Sequence, residues 1–158
     1  MYQRMLPMRK IIISDTSCFI ILANIDELEL LYHLYGQIIT TFDIAIEFGE
    51  PLPEWVEIVS VKDKYRQQLL ELQIDKGESS AIALALEIPY CTIILDDFKA
   101  RKIAIKLGLN FTGTIGVIVR AKLRGIIPSI IPLLEKIKLT NFRLSPEIEL
   151  QALKEAGE

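Results

Sequence analysis

Five acidic side chains stand where an alternating strand–helix chain could use them. Asp15 ends the apolar run KIIIS, and Asp96 and Asp97 end the run CTIIL. Glu47 follows shortly after QIITT, and Glu78 opens the stretch GESSAIALAL. Carboxylates gathered at one place repel one another unless a cation or a proton neutralises them. The chain has one histidine, His33, and two isolated cysteines, so no imidazole or thiolate cluster can complete a softer site. Oxygen-only donors favour Mg²⁺ or Mn²⁺. A dication held there would activate water and offset the charge that builds on phosphorus in phosphodiester hydrolysis.

Each acid also has a structural reading. Asp15 or Ser17 could cap the helix that follows KIIIS, and the Asp96-Asp97 pair could cap the next one. Glu78 in a first helical turn is favoured by the helix dipole alone. Glu47 could be a solvated helix carboxylate. Other chemistries have less support. One histidine excludes two-histidine acid–base catalysis and three-histidine zinc, and no motif surrounds His33 to make a Ser-His-Asp triad. Neither a phosphate loop nor G-x-G-x-x-G is present, and Gly113-Thr114-Ile115-Gly116 reads as a turn opening a helix.

The elements that must position these acids read as follows. KIIIS is a buried strand, and SCFIILANIDELELLYHLYG is two helical pieces broken at Asn24-Ile25-Asp26 and stopped by Gly36. QIITT is a strand, FDIAIEFGE a helix, WVEIVSV a strand with alternating exposure and DKYRQQLLELQI an amphipathic helix. DKGESSAIALALEI follows as a helix with small, close-packing residues. YCTIIL is a second buried strand, FKARKIAIKLGL a helix, NFTG a brief strand, and TIGVIVRAKLRG and IPSIIPLLEKIKL two more helices. Strands alternating with helices predict an α/β fold with a mostly parallel sheet of four or five strands between helical layers, residues 10–14 central. Ligands in such sheets lie beyond the carboxyl ends of the strands.

The chain has 158 residues, 51% apolar and 25% charged, which fits one globular domain spanning 1–158 with its core at about 10–150. The longest stretches without Lys, Arg, Asp or Glu, 30–42 and 107–119, are shorter than a membrane span of about twenty residues. MYQRMLPMRK has no apolar segment of the secretory kind, so a cytoplasmic location is expected, with Cys18 and Cys91 as buried thiols. Acidic residues dominate up to residue 78 and basic ones over 79–145, as a metal site flanked by a polyanion-binding surface would require, although solvated helix faces would look similar. The segment GVIVRAKLRGIIPSIIPLLEKI has more apolar positions than one buried helix face needs, which predicts a homodimer.

SDTSCFIILANI, IITTFDIAIEF, GESSAIALALE, IILDDFKARKIA and TGTIGVIVRAKLRGIIPSIIPLLEKI…FRLSPEI, in that order, resemble a PIN domain. More narrowly they resemble a prokaryotic PIN branch ending in GT-x-G-x-x-x-R-A-K…G-x-I-P…F-R-x-S. The resemblance implies a metal-dependent nuclease, a ribonuclease of the VapC-like toxin type with a cognate antitoxin, using Mg²⁺ or Mn²⁺. The alternative within the fold is a module that binds RNA or protein without cutting. Carried over residue by residue, Asp15 matches the first metal-binding acid, Glu47 the second, Glu78 the third, and Asp96 or Asp97 the last, with Asp97 favoured by spacing. The hydroxyl residue that PIN domains usually carry two positions before the last acid is missing, since Ile94 and Leu95 stand there. Thr16 and Ser17 match the small hydroxyl residues that orient the first acid. Arg101 and Lys102 are candidates for contact with the RNA backbone or, equally, a solvated helix face.

Overall fold

A computed structural model of the chain describes residues 10–158, so the expectation drawn from MYQRMLPMRK about secretion rests mostly on residues outside those described. Five strands form one sheet: β1 (Ile11–Ser14), β2 (Ile38–Thr40), β3 (Val56–Ile58), β4 (Cys91–Ile94) and β5 (Asn110–Thr112). Their order is β3-β2-β1-β4-β5 and every pairing is parallel. Parallel neighbours require crossovers, which helices supply. The central place of β1 follows from its composition: Ile12 and Ile13 are buried, as a strand covered on both faces must be. From β1 the chain winds outward through β2 and β3, then returns to the other side for β4 and β5. The direction of winding therefore reverses between β1 and β4, and a crevice opens there beyond the strand ends.

The helices are α1 (Thr16–Asn24), α2 (Leu30–Tyr35), α3 (Phe42–Phe48), α4 (Lys64–Leu70), α5 (Lys76–Glu87), α6 (Phe98–Lys106), α7 (Thr114–Leu123), α8 (Ile131–Lys138) and α9 (Pro146–Ala156). They make the outer layers of an α/β/α sandwich. In one layer α5 packs on β1 and β4 with α4 and α6 beside it. Gly77, Ser79, Ser80, Ala81, Ala83 and Ala85 are buried in α5, and their small size lets the helix approach the sheet closely. In the other layer α7 packs against α1, α2 and α9. Cys18 and Cys91 are both free and buried.

Helix α9 is an element that the sequence reading did not draw. Ser145 caps it by accepting from the Ile148 N–H at 3.2 Å, and Pro146 occupies its first turn, where a missing N–H costs nothing. Its end is tied back to the body: Lys122 Nζ donates to the Ala156 carbonyl at 2.7 Å, and Glu158 accepts from the Ile130 N–H at 2.9 Å. The apolar surplus of residues 116–137 is largely covered within the chain, since Val117, Ile118, Val119, Ile130, Leu133, Leu134 and Ile137 are all buried. Exposed apolar side chains occur on most helices; α3 and α4, joined by the bond from Gln67 Nε2 to Asp43 Oδ2, carry Phe42, Ile46, Tyr65 and Leu69.

Candidate functional site

The acids meet at the crevice between β1 and β4. Asp15 is buried and follows Ser14, the last residue of β1, and both of its oxygens are engaged. Oδ1 accepts from the Cys18 N–H at 2.9 Å and so caps α1, while Oδ2 accepts from the Asp96 N–H at 3.0 Å. The two readings of Asp15 are thus compatible, because each carboxylate oxygen has a second lone pair after it has accepted one hydrogen bond. Ser17 is exposed and does not cap the helix. Among the described residues, neither Thr16 nor Ser17 donates to Asp15; backbone N–H groups orient it instead.

Asp96 and Asp97 have separate tasks. Asp96 accepts from the Thr114 N–H at 2.8 Å through Oδ1 and from the Thr114 hydroxyl at 2.5 Å through Oδ2, and Arg101 Nη2 stands 3.9 Å from Oδ1. It locks the end of β4 to the start of α7. Asp97 caps α6, with Oδ2 accepting from the Ala100 N–H at 2.8 Å. The other oxygen of Asp97 has no hydrogen-bond partner among the described residues, and its charge acts on Glu78. Thr114 is therefore a member of the site that the sequence reading passed over as part of a turn.

Glu47 and Glu78 approach from the other side. The Thr41 side chain caps α3 through the Ile44 N–H at 3.2 Å and meets the Ser80 hydroxyl at 2.6 Å, which fixes α3 against α5. A methyl group built on Gly77 would run into Glu47 Oε2 and lie 3.4 Å from Thr16 Oγ1. The glycine thus leaves the space that Glu47 fills. Arg101 turns inward: Nε donates to the Leu95 carbonyl at 2.6 Å, and the guanidinium lies 5.4 Å from the centre of the Phe111 ring. Lys102 is exposed over the Phe98 ring. His33 is a surface residue 3.9 Å from Glu29, away from these acids.

Crowding shows in the acidities. Burial first, then the charge of Asp96, pushes the Asp15 carboxyl up to about 8 against the pull of its two N–H donors, and Glu78 adds a smaller push. Burial and then the charges of Asp97, Asp75 and Glu47 push Glu78 up to about 7. These are carboxylates short of positive charge. An all-oxygen donor set of this kind has the chemistry that suits a hard dication. The side chains do not close on one point, however: among the described residues, no group of three His, Cys, Asp or Glu is arranged to hold an ion.

A three-layer sandwich with a 3-2-1-4-5 parallel sheet and an acidic crevice at its switch point defines a doubly wound α/β domain. The profile of the family DUF3368, a PIN domain, matches residues 11–158, and the chain belongs to the PIN-domain family. No curated protein and no solved structure matches it closely enough to add to this. PIN domains are nucleases as a class and act on nucleic acid. No helix among the described residues is long and apolar enough to cross a membrane.

Proposed function

We propose that this chain is a divalent-metal-dependent endoribonuclease, with Asp15, Glu47, Glu78 and Asp97 as its acidic residues. The observation that carries this reading is the grouping of carboxylates at one crevice, where burial first and the charges of neighbouring acids second hold Asp15 and Glu78 above the usual carboxylate range. Asp15, Glu78 and Asp97 would hold Mg²⁺ or Mn²⁺, which when bound supplies activation of water and charge for the phosphoryl oxygens. Asp96 is assigned first as a positioning residue, because it ties the end of β4 to Thr114 at the start of α7 with Arg101 beside it. Thr16 shapes the wall beside Glu47 and Gly77. Lys102, more exposed than Arg101, is assigned to the RNA backbone ahead of it.

The reading extends to a toxin of a toxin–antitoxin pair, acting in the cytoplasm as a homodimer. The exposed apolar side chains of α3 and α4 support a protein partner on that face, a second copy or an antitoxin. The test is incubation of the purified chain with RNA in Mn²⁺ or Mg²⁺, with chelator added and then overcome. Cleavage that depends on the cation and disappears in Asp97→Asn is the expected result.

A second reading is a PIN-fold module that holds RNA without cutting it. The open arrangement of the donors favours it. RNA that is retained by the protein and keeps its length in both cations would establish that reading over the first.

A further inference from the structure

The amino ends of the strands carry a site of opposite sign. Cys91 turns towards α5, its Sγ lying 3.6 Å from the Ala85 carbonyl, so its neighbour Thr92 faces the layer of α1, α2 and α7. In register with Thr92 stand Ile12 on β1 and Asn110 on β5. The end of α2 and the last turns of α7 leave this part of the sheet open as a cleft of about 950 Å³.

Lys10, Arg120 and Arg124 line the cleft, and no Asp or Glu does. Among the described residues, none of these three cations has an ion-pair partner. Glu29 reaches only His33 at the rim. Arg120, in the last turn of α7, and Arg124, its C-terminal cap, are one turn apart, where like charges repel. Both act on the Tyr35 phenol, opposing the rise in its acidity constant that burial causes. Thr92 Oγ1 is buried without a hydrogen-bond partner among the described residues. A buried hydroxyl without a partner is uncommon, and a ligand group is one way to satisfy it.

We propose that this cleft binds a phosphate-bearing ligand, with the phosphate among Arg120, Arg124 and Lys10 and the Thr92 hydroxyl donating to it. Guanidinium groups match phosphate oxygens with paired hydrogen bonds. The volume exceeds that of a lone phosphate and accommodates an organic body beside Tyr35 and Ile12. Two sources share this chemistry: a free nucleotide and the backbone of an RNA strand. The site lies about 10 Å or more from the acidic crevice, the length of the strands between them, and does not depend on the nuclease reading.

The test titrates ADP, inorganic pyrophosphate and an uncleavable single-stranded deoxyoligonucleotide into the full chain, followed by amide shifts of Thr92, Asn110 and Gly36. Arg120→Gln/Arg124→Gln, checked by melting to be folded, is expected to weaken binding about ten-fold or more. The single variants Arg124→Gln and Thr92→Val, which disturb the fold less, are expected to weaken it by about three-fold or more. Saturation by ADP at these amides identifies a free nucleotide as the source. Shifts produced by the oligonucleotide and not by ADP identify strand phosphates. Failure of all three probes to shift these amides at millimolar concentration overturns the proposal, as does binding that is unchanged in every variant.

Discussion

The backbone N–H of Asp96 donates to Asp15 Oδ2 at 3.0 Å, joining residues 81 positions apart in the chain. This bond seals the crevice between the two central strands, because Asp15 also accepts from its own helix through Oδ1. One carboxylate therefore serves a helix cap, a strand junction and the acidic cluster.

Replacing Asp15 by Asn should divide those roles. The amide has one oxygen, so its NH₂ must face either the Cys18 or the Asp96 N–H, and a buried donor without an acceptor costs about 1–3 kcal/mol. At pH 6, where the parent carboxyl is largely protonated, the variant should melt lower than the parent. As pH rises towards 8 the parent loses the stability that its raised acidity constant supplies, so the gap should narrow, and above about 8 it should stay level. RNA cleavage should fall by about 100-fold or more. A gap that widens with pH in metal-free buffer would show that Asp15 is not the buried, charge-crowded acid described.

Metal-free stability should fall with rising pH. Asp15 rises from 3.8 to about 8 and Glu78 from 4.5 to about 7 on folding, so over those intervals the folded chain binds more protons than the unfolded one. The derivative of unfolding free energy with pH is then negative. The contribution is present in full below the unfolded values and lost as pH rises through the folded ones. Melts in chelator between pH 5.5 and 8.5 should show a declining midpoint, flattening above about 8. Added Mn²⁺ should bind more tightly as pH rises, because the same protons must leave.

Asp96 and Asp97 should fail differently. Asp96→Ala removes the acceptor for both Thr114 groups and should cost about 2–4 kcal/mol of stability, with activity lost as a consequence. Thr114→Val should reproduce a part of that loss. Asp97→Asn retains a capping oxygen and should melt within about 1 kcal/mol of the parent, yet show weakened Mn²⁺ binding and cleavage. Equal destabilisation by Asp96→Ala and Asp97→Asn would contradict the division of labour.

Gly77→Ala should uncouple stability from activity. The added methyl group meets the far end of Glu47, a side chain that can move away, and alanine is the better helix former by about 1 kcal/mol. The variant should melt at or above the parent while cleavage drops by about ten-fold as Glu47 is displaced. A lowered melting point with full activity would place the glycine's role in packing instead.

The strands and most helices were legible because their signals are local. Three isoleucines in β1, the alternation of WVEIVSV and the glycine stops at Gly36 and Gly49 need no distant partner. The division between Asp96 and Asp97 was not legible, and spacing alone left it open. In the structure Asp96 bonds to Thr114, 18 residues away, while the charge of Asp97 acts on Glu78 of another helix. Thr114 itself gave no signal beyond a turn. Helix α9 was within reach: Ser145, Pro146 and Glu147 spell a helix start, and Ile148, Ala152 and Ala156 recur at helical spacing. The apolar segment over 116–137 gains part of its cover from α9, which packs on α7.

The acids at the ends of β1 and β4 are also the caps of α1 and α6, and this bears on how the family can change. Asparagine and serine are good caps, so a single nucleotide change at Asp97 can abolish a charge without removing what starts the helix. Descent from such a chain can yield folded, silent copies that still present the same surfaces to partners. Asp15 is held more strictly, because its second oxygen answers to Asp96 as well. Sequences that have lost their activity in this lineage should therefore show substitution at the end of β4 before the end of β1.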